Sequence, residues 1–209
     1  VTGKTIFSLY PPEAGFPVYE DSYWASDNWD PLSYGVDFDR TRPFLAQLHE
    51  LSQKVPRPRS AAINMVRSEY SANAADLKDC YLLFNSNEGE DSAYGNGIDA
   101  SKHCYDNSHL QNCERCYESF WLTRCYDTHF SAQCEDCVSV WFSKNCQGCT
   151  NCFGCVNLRN KSYYFFNEPL SKDEYMQKVT ELQLSSHSSL ESLKEKVRLF
   201  WLRFPVKYT

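Results

Sequence analysis

Residues 104–155 read CYDNSHLQNCERCYESFWLTRCYDTHFSAQCEDCVSVWFSKNCQGCTNCFGC, and cysteine returns along this stretch with a period of 21 residues. Cys104, Cys125 and Cys146 form one series, Cys113, Cys134 and Cys155 a second, and Cys116 and Cys137 a third that Leu158 continues. Other residue types keep a similar beat. Tyr81, Tyr105 and Tyr126 each follow a cysteine, Asp106 answers Asp127, Glu114 answers Glu135, and Ser119, Phe120 and Trp121 answer Val140, Trp141 and Phe142. A fixed internal period marks a solenoid, in which each repeat buries its apolar face against its neighbours.

A coil of about 21 residues has room for three short strands and three turns, and successive coils then pair as parallel strands about 4.8 Å apart. The expected fold is therefore mainly β: a short right-handed parallel β-helix of four or five coils, about 21 residues per coil, capped by α-helices. The inward columns of so narrow a tube must be small or apolar, and free cysteine behaves as a small hydrophobe. Leu158 in a cysteine series favours this packing role, because leucine fills the space of a thiol but cannot ligate a metal.

Metal binding is the rival reading. Cys113-x2-Cys116 followed by Cys134-x2-Cys137 has the spacing of a zinc ribbon, which makes Cys113, Cys116, Cys134 and Cys137 candidate ligands for zinc or iron. Cys146-x2-Cys149 with Cys152-x2-Cys155 supplies a second set. The series Cys104, Cys125, Cys146 has no paired thiol at its first two members, so a packing ladder without cofactor is preferred. The two readings meet if stacked CxxC pairs on adjacent coils share one ion.

Three segments are expected. Residues 1–59 are rich in aromatics, with a strand at Lys4 to Tyr10 and a capping helix near Thr41 to Lys54, where Phe44, Leu45, Leu48 and Leu51 share a face. Residues 60–167 hold the coils, with an inserted loop at Asn85 to Gly97. Residues 168–209 form a helical pair, its helices started by capping boxes at Ser171 with Glu174 and Ser188 with Glu191.

A formal charge of -6 and a pI near 5.4 oppose a nucleic-acid footprint, which needs clustered Lys and Arg. No apolar run is long enough to span a membrane as a helix. The start at Val1, without leader or initiator Met, reads as a fragment or a processed product. Eleven cysteines cannot all pair within one chain, and their clustering is unlike that of a secreted disulfide scaffold, so reduced thiols in a cytoplasm are expected.

His103, His109 and His129 lie near Asp106 and Asp127. Stacked carboxylates on a β-helix face would suit a polysaccharide-acting solenoid, although solvated turn residues explain them more plainly. No nucleophile elbow, phosphate loop or HExxH occurs, so no catalytic residue is assigned and an enzyme is not expected. Phe120, Trp121, Trp141, Phe142, Tyr163 and Tyr164 read as core with a partly exposed ridge.

Gly148 to Val179 (GCTNCFGCVNLRNKSYYFFNEPLSKDEYMQKV), with Phe16 to Phe44 and Leu77 to Phe84, resembles a family of uncharacterised cysteine-rich repeat proteins of candidate-phyla bacteria. The resemblance implies an intracellular, non-enzymatic protein whose relatives often carry CxxC pairs before the solenoid. This chain has no cysteine around Val1 to Gly3 or Tyr19 to Ser22, so the resemblance carries over no metal site there.

The function expected from these observations is a structural or interaction scaffold that offers a rigid solenoid face to a protein partner or to a second copy of the chain. A zinc- or iron-binding CxxC protein and a carbohydrate-binding or polysaccharide-active β-helix are the alternatives.

Overall fold

The computed structural model describes residues 3–182 and 184–206. Its central body is a parallel β-solenoid of about nine turns. Strand register fixes the coil: Ala62 pairs with Ala74, Tyr81 with Ala93, Ala93 with Tyr105, Ser108 with Phe120, and Val138 with both Tyr126 and Thr150. Each coil is thus 12 residues long, the spacing of the hydrogen bonds that join one coil to the next. The expected 21-residue coil is corrected, and with it the count of four or five coils. Twenty-one residues are one coil plus three of its four sides, so a 21-residue series winds around the tube instead of stacking.

The physical unit is a triplet. Every third residue points into the tube, and, except at Tyr70 before Ser71, the residue before it takes a left-handed conformation, with φ from 42° at Glu118 to 61° at Asn157 among the non-glycine residues that precede inward positions from Ala74 to Leu158. Left-handed backbone costs an ordinary L-residue ~1–2 kcal/mol, and Asn, Asp and Gly tolerate it best. The sequence supplies them: Asp79, Asn112, Asp136, Asn145, Gly148, Asn151 and Gly154 each stand immediately before an inward cysteine. Four such corners turn the chain through one 12-residue coil.

Inside, four columns run along the tube. Cys113, Cys125, Cys137 and Cys149 follow one another in a single column, and Cys134 stands under Cys146 in the next. Ser, Leu, Val, Ile and Ala fill most other inward positions. Buried serines are fully used. Ser143 accepts from Cys155 N–H of the next coil at 3.0 Å and donates to the Trp141 carbonyl at 2.9 Å, while Ser71, Ser86 and Ser131 accept from Leu83, Ile98 and Ser143 in the same way. Among the described residues no buried side-chain polar atom lacks a partner.

The Asn85 to Gly97 segment is no inserted loop. It lies in the strands Tyr81–Asn87 and Ala93–Asp99 and the turn between them, in register with their neighbours. Gly89 and Gly95 answer to the lumen: a Cβ on Gly95 would stand 2.7 Å from Ile98 Cγ1 and 3.0 Å from Leu83 Cδ2. Outside, an alternating column of Lys78, Glu90 and Lys102 pairs across coils.

Both end coils meet strands. Val18–Tyr19 pairs in parallel with Arg57–Pro58, and Leu9 N–H bonds to the Arg59 carbonyl, although Lys4 to Tyr10 is not itself a strand. Asp21, at the start of helix α1 (Asp21–Trp24), accepts from Ser60 and Ala61 and pairs with Arg59 at 3.2 Å. Helix α2 (Phe44–Ser52) follows and buries no residue. At the far end Glu168–Pro169 turns back antiparallel on Ser162–Phe165.

Helices α3 (Lys172–Glu181) and α4 (His187–Trp201) lie against the flank of the tube rather than over its end. Ser171 and Glu174 form the expected capping box. Ser186, not Ser188, caps α4, accepting from Ser189 N–H. Tyr175, Leu193 and Val197 pack on Phe142 and Phe153. Among the described residues no helix is long and apolar enough to cross a membrane.

Candidate functional site

Two features of this tube carry chemistry: the thiols of its lumen and the aromatic columns of two adjoining corners. All eleven cysteines are buried and free. Each Sγ donates to the carbonyl two residues back, at 3.1 Å for Cys104 and 3.6 Å for Cys116 and Cys146, so the thiols hold the turns together as the serines do. Ten of them form one run of neighbouring thiols. It runs from Cys104 through Cys116, Cys113 and Cys125 to Cys137, then through Cys134, Cys146 and Cys149 to Cys152 and Cys155.

Protonation follows from that run. Hydrogen bonds to Cys137 and Cys146, reinforced by burial, push the Cys134 thiol well above the ordinary thiol range. Bonds to Cys104 and Cys113 do the same for Cys116. Cys80 stands outside the run, and burial alone is the main cause that raises it. Cys116, Cys134 and Cys80 are thus protonated at neutral pH, whereas neighbouring thiols pull Cys113, Cys137, Cys149 and Cys155 the other way, all of them in a buried setting unlike that of an exposed reactive cysteine.

The expected four-ligand set does not assemble. Cys113 and Cys116 are adjacent within one coil, as are Cys134 and Cys137, but Cys125 stands between Cys113 and Cys137 in their shared column. Two coil rises, ~9.6 Å, separate those sulfurs, whereas a tetrahedral ion needs all four within ~2.3 Å. Cys134, Cys137, Cys146 and Cys149 are neighbours instead, two side by side on each of two successive coils. Among the described residues no group of three or more His, Cys, Asp or Glu side chains is arranged to hold a metal ion.

The acidic pair is also dispersed. Asp106 and Asp127 are offset by other than a whole number of coils, so they occupy different corners. Asp127 instead holds His129 at 3.1 Å and lies 3.7 Å from Arg115, with Trp141 tilted against the imidazole at 4.3 Å. Burial lowers the His129 pKa, against the opposing pull of Asp127. His103 faces Asp91 at 3.9 Å, and His109 bonds Ser108 at 2.7 Å. These three histidines share no site.

Aromatic residues line two adjoining corner columns. Tyr70, Tyr81 and Tyr94 meet edge to face at 5.6 and 5.7 Å, Tyr105 is joined to Tyr117 by a backbone bridge, Tyr117 meets Phe130 at 5.4 Å, and Phe130 stacks on Phe142 at 4.5 Å. Phe142, Phe153 and Phe165 continue them. Helices α3 and α4 cover the later half: Lys194 reaches Glu118 at 2.7 Å, Trp201 bonds to the Phe142 carbonyl, and Phe200 meets Phe166 at 5.1 Å. The earlier half is more open to solvent, with Tyr94 55 % exposed, while Phe7 meets Tyr70 edge to face at 5.4 Å. Trp141 and Tyr163 belong to the covered half, Phe120 and Trp121 to the open side, and Tyr164 points toward the lumen.

The expected aromatic ridge did not include Tyr81, Tyr94 and Tyr105, because the 21-residue alignment separates them from Phe142 and Phe153. A 12-residue alignment joins them. No protein-family model matches the chain, and no curated protein matches it.

Proposed function

We propose that this solenoid is a scaffold whose open aromatic strip, centred on Tyr81, Tyr94 and Tyr105, receives an amphipathic helix of a protein partner. One observation carries this reading: the corner that bears Tyr94 is already covered by the chain's own helix α4 from Glu118 to Phe166, and lies open at Tyr94, with the exposed Tyr81 and Tyr105 beside it. A helix laid in an apolar strip, with aromatic anchors at the centre and charges at the rim, is a recurring mode of recognition. Lys194 pairing with Glu118 indicates the rim chemistry, and Asp106 offers a basic helix the next carboxylate along the corner. Eleven free, buried thiols support a reducing compartment such as a cytoplasm.

The test is site-specific photo-cross-linking in the native host, with the photoreactive residue at Tyr94, at Tyr105, or at Asp136 on another corner. A discrete adduct from the two tyrosine positions and none from Asp136, its partner helix identified by mass spectrometry, is the expected result. Absence of any adduct from both tyrosine positions overturns the reading. An adduct of the chain with itself replaces the partner helix by a second copy.

A further inference from the structure

We propose that the cleft between the end of helix α4 and the neighbouring corner of the tube binds a small aromatic carboxylate. Trp121, Gln133, Asn145 and Asn157 follow one another at 12-residue intervals down that corner, and Lys144 stands in the strand column beside them. Trp201 of α4 faces them across a cavity of about 330 Å³. That volume is at the small end of ligand pockets, which span ~300–1,000 Å³, so a compact ligand suits it. The cleft lies one corner on from the open tyrosine strip, and the two readings stand or fall separately.

Indoles supply the walls. Trp201 is fixed by its Nε1 bond to the Phe142 carbonyl, and Lys144 Nζ stands 5.9 Å from its ring centroid. Trp121 is 52 % exposed in a left-handed corner, φ 55°, where the same column carries Asn145 and Asn157. Burial leaves half of that side chain uncovered, and the backbone favours Asn there. A ring to stack on accounts for the tryptophan.

Charge decides what the ring carries. Among the described residues that line the cleft, Lys144 bears the one charge and there is no carboxylate, in a chain of formal charge -6. The asparagines are already used: Asn145 Nδ2 donates to Asn157 Oδ1 at 2.7 Å, and Asn157 Nδ2 donates to the Pro205 carbonyl at 3.2 Å, which ties the chain after α4 to the corner. Lys144, half-buried, and Gln133 remain to meet a ligand. One ammonium matches one negative charge, and a carboxylate takes a charge-assisted bond from it. A phosphate dianion would meet the carbonyl end of α4, the wrong end of a helix for it.

The experiment titrates the full chain with benzoate and, separately, with its neutral isostere benzamide, following the indole N–H resonances by NMR. Saturable shifts of Trp121 and Trp201 are expected, with a benzoate dissociation constant of about 10 mM or tighter, the weakest that nine non-hydrogen atoms give at ordinary ligand efficiency. Benzoate should bind at least about fivefold more tightly than benzamide. Lys144→Gln should remove that difference, Trp121→Ala should weaken both ligands at least about threefold, and Lys78→Gln, on another corner, should change neither. Wild type without a saturable shift overturns the proposal, as does a Lys144→Gln variant that binds benzoate like wild type. Benzamide that equals benzoate on wild type overturns it without any variant, and glucuronate that binds more tightly than benzoate overturns the aromatic assignment.

Discussion

The indole Nε1 of Trp201 donates to the carbonyl of Phe142 across 3.2 Å, joining the last turn of α4 to a corner of the tube 59 residues earlier. The Phe142 N–H is taken by the His129 carbonyl of the previous coil, so Trp201 fastens the helix without disturbing the coil-to-coil ladder. Trp201→Ala should free the end of α4 and leave the coils paired. A half-buried tryptophan is worth less than the ~3–5 kcal/mol of a fully buried one, so a loss of ~2–3 kcal/mol is expected. Limited proteolysis should then nick residues 186–206 first, with the strand signal in circular dichroism retained. Simultaneous loss of both would show that the solenoid depends on its flank helices.

Gly95 is small because its neighbours in the lumen are large. Gly95→Ala should destabilise by ~1–3 kcal/mol through overpacking against Ile98 and Leu83. Ile98→Val makes room, so the double variant should lose less than the two single losses together in chemical denaturation. Strict additivity would place the two side chains out of contact.

The parallel solenoid was legible in the chain because its composition repeats, but the coil length was not, for a specific reason. Successive cysteines from Cys80 to Cys155 are separated by multiples of three residues, and 21 is one such multiple. The inward phase of three is the fundamental; 21 is a beat that the choice of cysteine, serine or leucine at inward positions lays over it. Asn, Asp or Gly before so many cysteines was the local clue to a left-handed corner at each triplet. Cys134, Cys137, Cys146 and Cys149 could have been grouped from a 12-residue alignment. The covering of Phe142 and Phe153 by α4 could not, since it depends on where a helix docks after the tube exists.

Ser139 occupies a left-handed corner with φ 51°, and its side chain makes none of the cross-coil bonds seen at Arg124 or Asn145. If the triplet geometry governs stability, Ser139→Asn should raise it by up to ~1 kcal/mol, and Ser139→Val should lower it by ~1–2 kcal/mol. Thermal melts of the two variants should move in opposite directions. A shift of the same sign in both would contradict the corner conformation.

Acid should act on stability in two separate windows. Burial lowers the His129 pKa below its ordinary value of about 6.5. The unfolded chain then binds the proton first, so the neutral imidazole's contribution is complete above pH ~6.5 and is lost as pH falls through the folded pKa. Glu90 behaves likewise at lower pH. Lys102 and Lys78 hold its carboxyl at about 2, so its contribution is present above pH ~4.5 and disappears as pH falls toward 2. Denaturation midpoints against pH should show both declines. His129→Gln should flatten the upper one and Glu90→Gln the lower, and an unchanged upper slope in His129→Gln would assign it to another group.

Thiol reactivity tests the lumen directly. Every cysteine donates its proton to a backbone carbonyl inside a sealed tube, and burial raises even the isolated Cys80. A disulfide-exchange reagent needs access to the sulfur, and the folded chain offers none. All eleven cysteines should react after denaturation. In the native state each should react at least about a thousandfold more slowly, the factor set by ~4 kcal/mol of opening free energy. Cys155 and Cys152, in the last coils, are expected to open no faster than Cys125, because Glu168–Pro169 and the flank helices cover that end. A fast-reacting subset there would mean that this end opens on its own, and its identity by mass spectrometry would locate the breach.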